Sequence, residues 1–189
     1  MASNLAIAHS STVRQFKFSR RELIPSDRVG LWQIHAGWVR TLTWNEDGAI
    51  VTLGFWHAGD VVGQPLCNLH PYQIECLTPV EAAPLPDDYP FCQQALVAHL
   101  QQTQELLRII HYRRVELRLA ELLSWLAQQF GRKVTQGYLV ELRLTHQDIA
   151  DVIGTTRVTV TRLLNLFQQQ HRINWCKEGW IWQADRLVS

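Results

Sequence analysis

The chain reads as an α+β protein: an antiparallel barrel or jelly roll, then a long helix, then a helix-turn-helix followed by a small β-hairpin. Three observations predict this. Residues 23–85 are short apolar segments punctuated by Gly37, Gly48 and Gly59, the spacing of an antiparallel roll. Leu96, Leu100, Thr103, Leu107 and Ile110 recur at alternating steps of four and three, a heptad seam on one helix. Residues 144–164 hold a capping box, an apolar helix face, a glycine and a second helix with one polar face. The divisions fall at 1–88, 89–112 and 113–189.

The elements follow in order. Residues 1–20 are polar and basic, a loose arm or an edge strand. Residues 32–35, 38–44, 50–56 and 74–77 are strand candidates, and Asn45-Glu46-Asp47-Gly48 is a hairpin turn. The tryptophans occur in several registers, so alternation does not decide which strand face is inside. Pro84-Leu85-Pro86-Asp87-Asp88-Tyr89-Pro90 is a boundary. Pro90 suits a helix's first turn, with Asp87 or Asp88 before it. The seam of the long helix has two readings: packing on its own domain, or self-pairing into a parallel dimer. Val115, Leu119, Leu122, Leu123, Leu126 and Phe130 form another amphipathic helix. Residues 131–137 are expected as a loop and 139–144 as a strand. Residues 173–176 and 180–182 flank a turn, a hairpin placed like a wing.

The helix pair carries the chemistry. Thr145 and Asp148 make the capping box, which starts the first helix on the Ile149 side of that pair. Gly154 reverses the chain, where a missing Cβ permits positive φ. Thr155 or Thr156 caps the second helix. That helix puts Val160, Leu163, Leu164 and Phe167 on one face, and Val158, Thr161, Arg162 and Asn165 on the other. Arg157 lies in its first turn, where a recognition helix meets base edges. A guanidinium fork can donate to guanine O6 and N7 together. Threonines at the helix start can donate to phosphate. An ordinary amphipathic hairpin with a solvated face gives the same spacing.

Composition agrees with a phosphate partner. The net charge of +1 hides an asymmetry: 6 Lys/Arg against 9 Asp/Glu in residues 1–88, but 12 against 8 in 89–189. No run approaches the ~18 apolar residues of a membrane span. The N-terminus lacks a basic region and a strong apolar stretch, so no secretory signal is expected. Cys67, Cys76, Cys92 and Cys176 form no C-x-x-C pair. A cytoplasmic protein with reduced thiols is the expectation. His35 and His57 do not sit in a His-x-His motif, and there is no Gly-x-Ser-x-Gly elbow or phosphate loop. No enzyme activity is expected.

The order of roll, seam helix and helix-turn-helix with wing resembles the CRP/FNR superfamily of transcription regulators over about residues 23–189. The resemblance is strongest at residues 144–164 and weaker at Gly37, Gly48 and the run Gly59-Asp60-Val61-Val62-Gly63. Gly154-Thr155-Thr156-Arg157-Val158-Thr159-Val160-Thr161-Arg162 is most similar to the cyanobacterial global nitrogen-control branch. The resemblance implies a cupin-like β-roll (double-stranded β-helix), a dimerisation helix and a homodimer on palindromic double-stranded DNA, with RNA polymerase as a further partner. It implies that Arg157, Val158 and Arg162 read bases, and that Thr145, Gln147, Thr156 and Thr159 clamp phosphate. Cyclic-AMP and FNR branches carry glutamate where Val158 stands. Valine cannot accept from cytosine N4 but can touch a thymine methyl. GTA…TAC-like half-sites are therefore expected, rather than TGTGA.

The sensor departs from the family. Cyclic-nucleotide binders have a Gly-Glu and a later arginine for the phosphate. Here Gly63-Gln64-Pro65 begins the segment, and residues 66–73 contain no arginine. A buried phosphate without a cation is costly, so no cyclic-AMP binding is expected. The nitrogen branch's 2-oxoglutarate arginine and glutamate on the helix correspond to His99 and Gln104, so that pocket is expected to be lost too. The chain also starts late relative to the family, with one or two early roll strands expected to be absent. No cofactor or metal ligand is assigned. Cys67, His70 and Cys76 lie near the family's haem-ligand region, leaving a haem- or metal-binding roll with a DNA-binding tail as the alternative. A module that forms heterodimers through residues 96–110 is a third reading.

Overall fold

The computed structural model describes residues 14–26, 30–86 and 93–183. Among the described residues, eight strands build the N-terminal part: β1 (Phe16–Phe18), β2 (Leu23–Ile24), β3 (Trp32–Ala36), β4 (Val39–Trp44), β5 (Ile50–Trp56), β6 (Val61–Val62), β7 (Gln73–Cys76) and β8 (Val80–Pro84). They form two four-stranded antiparallel sheets, ordered β1-β8-β3-β6 and β2-β7-β4-β5. Ile24, Trp32, Ile34, Val39, Trp56 and Ile74 fill the space between them. This is the expected roll, and among the described residues β1 lies at a sheet edge.

The ambiguity of the tryptophan registers has a physical cause. The β2-β7-β4-β5 sheet is covered on both faces along β4 and the second half of β5, while Leu23, Ile50 and Val51 at its margins are exposed. Trp56 and Cys76 point into the roll, whereas Phe55 and Leu77 join a second core with the helices. A doubly buried strand loses its apolar-polar alternation, and β4 is almost continuously buried.

Helix α1 (Gln93–Ile110) lies on this outer face. Gln102 fastens it to β5: its side-chain oxygen accepts from the Phe55 N–H at 2.8 Å and its amide donates to the Phe55 carbonyl at 2.7 Å. Leu106 and Ile109 are buried beside it, while Leu96, Leu100, Thr103, Leu107 and Ile110 are exposed on the other side. The expected helix start at Asp87, Asp88 and Pro90 lies outside the described residues.

A break at residues 111–114 leads into α2 (Val115–Phe130). The stretch read as a loop at 131–137 is instead a hairpin: β9 (Arg132–Val134) pairs with β10 (Gly137–Val140), which ends well before residue 144. β9 escaped notice because an edge strand of Arg-Lys-Val has no buried face to alternate. Helix α3 (His146–Ile153) and helix α4 (Arg157–Gln169) follow. The hairpin of β11 (Ile173–Trp175) and β12 (Trp180–Trp182) completes a sheet ordered β11-β12-β10-β9.

Two local expectations are refined. The Thr145–Asp148 capping box forms in both directions, but α3 begins directly after Thr145 rather than near Ile149, since the cap residue itself immediately precedes the first turn. Thr156 caps α4, accepting from the Thr159 N–H. Gly154 ends α3 at φ 63°, ψ 57°. A Cβ there would meet only Arg118 Nη1, at 3.7 Å, so Gly154→Ala should cost the backbone term alone, about 1–2 kcal/mol. A urea titration checks this, and an unchanged midpoint would contradict it.

Candidate nucleic-acid interface

Helix α4 stands with one face in the core and one in solvent. Val160, Leu163, Leu164 and Phe167 are buried. Arg157, Arg162 and Asn165 are exposed, Thr161 is half-buried, and Val158 is 78% exposed. A valine so bare on a well-packed helix gains nothing from folding. The two guanidiniums enter none of the ion pairs among the described residues. Arg157, Val158, Thr161, Arg162 and Asn165 together line one shallow surface.

Neighbouring hydroxyls are partly committed. The Thr156 and Thr159 hydroxyls lie 3.0 Å apart, so one donates to the other and a single proton is left for an outside acceptor. Thr145 Oγ1 accepts from the Asp148 N–H at 3.1 Å and keeps its own proton to give. Gln147 is exposed, its amide donating to Asp151 Oδ1 at 2.7 Å. His146 was not anticipated. Its Nδ1 meets Thr161 Oγ1 at 2.7 Å, and Thr161 donates to the Arg157 carbonyl at 2.9 Å. That direction makes Nδ1 the protonated nitrogen. The contact joins α3 to the middle of α4, fifteen residues on, and no local motif announces it.

Two arginines brace this helix pair. Arg118 on α2 donates to the Tyr112 carbonyl at 2.7 Å and to the Ile153 carbonyl at 3.0 Å, tying the break after α1 to the end of α3. Arg143 donates to the Lys177 carbonyl and holds the turn between β11 and β12 beside the entry to α3.

Asp148 is 2% exposed. Burial raises its carboxyl pKa, but hydrogen bonds from Arg21 and Thr145, with the charge of Arg40, outweigh burial and hold it below the usual carboxylate range. The ion therefore stabilises the fold above the unfolded value of ~3.9, and that contribution is lost as pH falls through the lower folded value. Asp148→Asn should flatten the acid limb of the stability curve below about pH 4. Thermal melts from pH 7 to 3 check this, and an equally steep limb would refute it.

The sensor positions are also placed. His99 stacks on Trp56, ring centroids 3.8 Å apart, and donates to the Val61 carbonyl at 2.9 Å. Burial lowers its pKa, which keeps the imidazole neutral. It packs as a wall residue. Gln104 instead lines a cavity of about 540 Å³ with His57, Asp60, Arg108, Gln128 and Phe130. That cavity lies between the β5–β6 turn, α1 and α2, outside the packed roll. Gln64 donates to the Cys67 carbonyl at 2.7 Å within a short 3-10 turn, Gln64–Leu66. Cys76 is fully buried, and burial with nearby glutamates pushes its thiol up to about 12. Cys67 is half-buried, His70 and Cys176 are exposed, and Cys92 lies outside the described residues. Among the described residues no three His, Cys, Asp or Glu side chains gather as a metal site, and no helix is long and apolar enough to cross a membrane.

Comparison with known proteins adds an independent line. Residues 117–187 match the Crp-like helix-turn-helix domain family. The regulatory protein CysR of Synechococcus elongatus is 44% identical over 158 residues, 82% of this chain and 77% of that protein. The global nitrogen regulator of Synechocystis sp. is 34% identical over 119 residues, 57% of this chain and 53% of that protein. FixK2 from Bradyrhizobium japonicum shares the fold at a TM-score of 0.72 and 19% identity, covering 92% of this chain and 93% of that one. A helix-turn-helix of matching sequence, a roll of matching fold and a relative matched along most of its length agree: the chain belongs to the CRP/FNR family of transcription regulators, close to its cyanobacterial branch.

Proposed function

We propose that this regulator acts as a homodimer on a palindromic double-stranded site with GTA…TAC-like half-sites. The observation that carries this reading is the face of α4. Arg157 and Arg162 are exposed, enter none of the ion pairs among the described residues, and flank a bare Val158. Arginine forks match guanine, and a valine between them offers a thymine methyl its best apolar partner. Thr145, Gln147, Thr156 and Thr159 line the two helix N-termini, where hydroxyl and amide donors and the helix dipole favour phosphate.

The seam residues Leu96, Leu100, Thr103, Leu107 and Ile110 supply the dimer contact, and the divisions at 88 and 112 separate roll, dimer helix and DNA head. Two heads related by a two-fold axis place their half-sites about 34 Å apart. The regulator works in the cytoplasm, with RNA polymerase as its downstream partner. Cyclic AMP is not its signal, since residues 66–73 offer the phosphate no arginine.

A binding selection from randomised duplexes tests this. Recovery of GTA…TAC palindromes is expected, and recovery of TGTGA half-sites overturns it. Calorimetry with cyclic AMP should show no heat, and micromolar affinity would refute that part.

A further inference from the structure

Helix α3 sits beside the roll, and its carboxylates contact the roll by ion pairs. Arg21, in the turn between β1 and β2, forks onto Asp148: Nη1 donates to Oδ1 at 2.9 Å and Nη2 to Oδ2 at 2.8 Å. Nη1 also reaches Glu75 on β7 at 2.8 Å, and Nη2 lies 3.4 Å from Thr145 Oγ1. Arg40 on β4, 4% exposed, donates from Nε to Glu75 at 2.5 Å. Its Nη2 is 3.4 Å from Asp148, and its Nη1 is 3.6 Å from Asp151 with no hydrogen-bond partner. Two roll arginines thus hold two α3 carboxylates, with Glu75 fixing both arginines.

The turn that aims Arg21 is strained. Arg21 has φ 69°, in the left-handed region that non-glycine residues rarely enter. The strain is held by its N–H donating to the Cys76 carbonyl at 2.7 Å, and by Glu22 bonding back to Ser19. Strain of this kind persists only where the surroundings impose it. Here it brings a guanidinium across 127 residues of sequence to the capping box of α3.

We propose that Arg21 and Arg40 are positioning residues for DNA binding: from the roll they clamp the phosphate-facing first turn of α3 and cancel carboxylate charge that would repel the backbone. This rests on the proposed DNA-reading function. Asp148 and Asp151 stand on the same turns as Thr145 and Gln147, so without the arginines two negative charges would lie next to the phosphate path. The clamp adds a polar tie to the core that Phe55 and Leu77 share with the helices, so that roll and head hold one orientation although α1 and α2 are separated by a break at residues 111–114.

Arg21 is the residue to change, because its side chain is 38% exposed whereas Arg40 is buried. Arg21→Gln should weaken binding to the selected duplex about tenfold, and more at low salt, where unscreened carboxylates repel phosphate over a longer range. Arg21→Lys, which keeps the charge and loses the fork, should restore part of the affinity. In an Asp148→Asn background the Arg21→Gln effect should largely vanish, the mark of a direct coupling. Hydrogen exchange without DNA gives a second readout: the Asp148 and Ile149 amides should exchange faster in Arg21→Gln. Folded Arg21→Gln protein that binds as tightly as wild type overturns the proposal and leaves the functional reading standing. Wild type that binds no duplex in the selection overturns the functional reading and this proposal with it.

Discussion

Arg157→Ala is expected to lower affinity for the selected palindrome by ten- to a hundredfold per half-site and to relax the base preference at one position. The magnitude follows from the ~1–3 kcal/mol of discrimination that one bidentate arginine–guanine pair supplies. Arg157 is exposed at the first turn of α4, just after the Thr156 cap, so its loss leaves packing and capping intact. Fluorescence anisotropy on the consensus duplex and on duplexes changed at single positions separates two outcomes. A loss confined to the consensus identifies a base reader. A uniform loss across all sequences, with a shallower salt dependence, identifies a phosphate contact and sinks the assigned role. Val158→Glu extends the test. A carboxylate there can accept from cytosine N4, so preference should move toward the half-sites read by branches carrying glutamate.

What the sequence discloses about this molecule follows the range of its interactions. The helix-turn-helix is legible because each of its signals is local: Thr145 with Asp148, Gly154, Thr156, and apolar residues at helical spacing. The exposed face of α4 is legible for the same reason. The roll is legible only in outline. Its glycine-marked turns show, but β4 and β5 are packed on both sides, so Phe55 and Trp56 point to different cores and alternation carries no sign of which is which. β9 is hidden because an edge strand of charged residues has no buried face. The clamp of Arg21 and Arg40 is invisible, since nothing at either arginine or at Asp148 marks a partner more than a hundred residues away. Asp148 is a case of one residue read correctly for half of its work: the capping box is in the sequence, and the bond to the roll is not. The family resemblance supplies the order of the elements. It does not supply the contacts between them, and those are where this chain's own behaviour is decided.

Leu107→Glu should convert the protein to a monomer and reduce its affinity for the palindrome by roughly a thousandfold, the scale of avidity lost when two linked heads become independent. The physical ground is the division of α1 into two faces. Leu106 and Ile109 are buried against the roll and head, and Gln102 is bonded to β5, so that face is occupied. Leu100 and Leu107, 59% and 53% exposed, stand with Leu96 and Ile110 on the opposite face. Four large apolar side chains in a row on one helix are a patch that solvent does not favour. On the proposed two-fold seam, glutamate at 107 would meet its own copy, where like charges repel, and in the single chain it would meet water. The variant should therefore keep its melting curve in dilute solution, apart from the stability contributed by association. Leu106→Ala is the contrasting change: it empties a buried site and should lower the fold's stability. Sedimentation equilibrium decides the matter. Leu107→Glu protein that still sediments as a dimer would show that some other surface joins the two copies. A wild-type chain that sediments as a monomer while holding its fold would point to a different partner on this seam. With only two heptads the seam is short for an isolated pair of helices. As the proposed dimer contact it would gain from α1 being fixed in place, and the paired hydrogen bonds between Gln102 and Phe55 fasten α1 to β5.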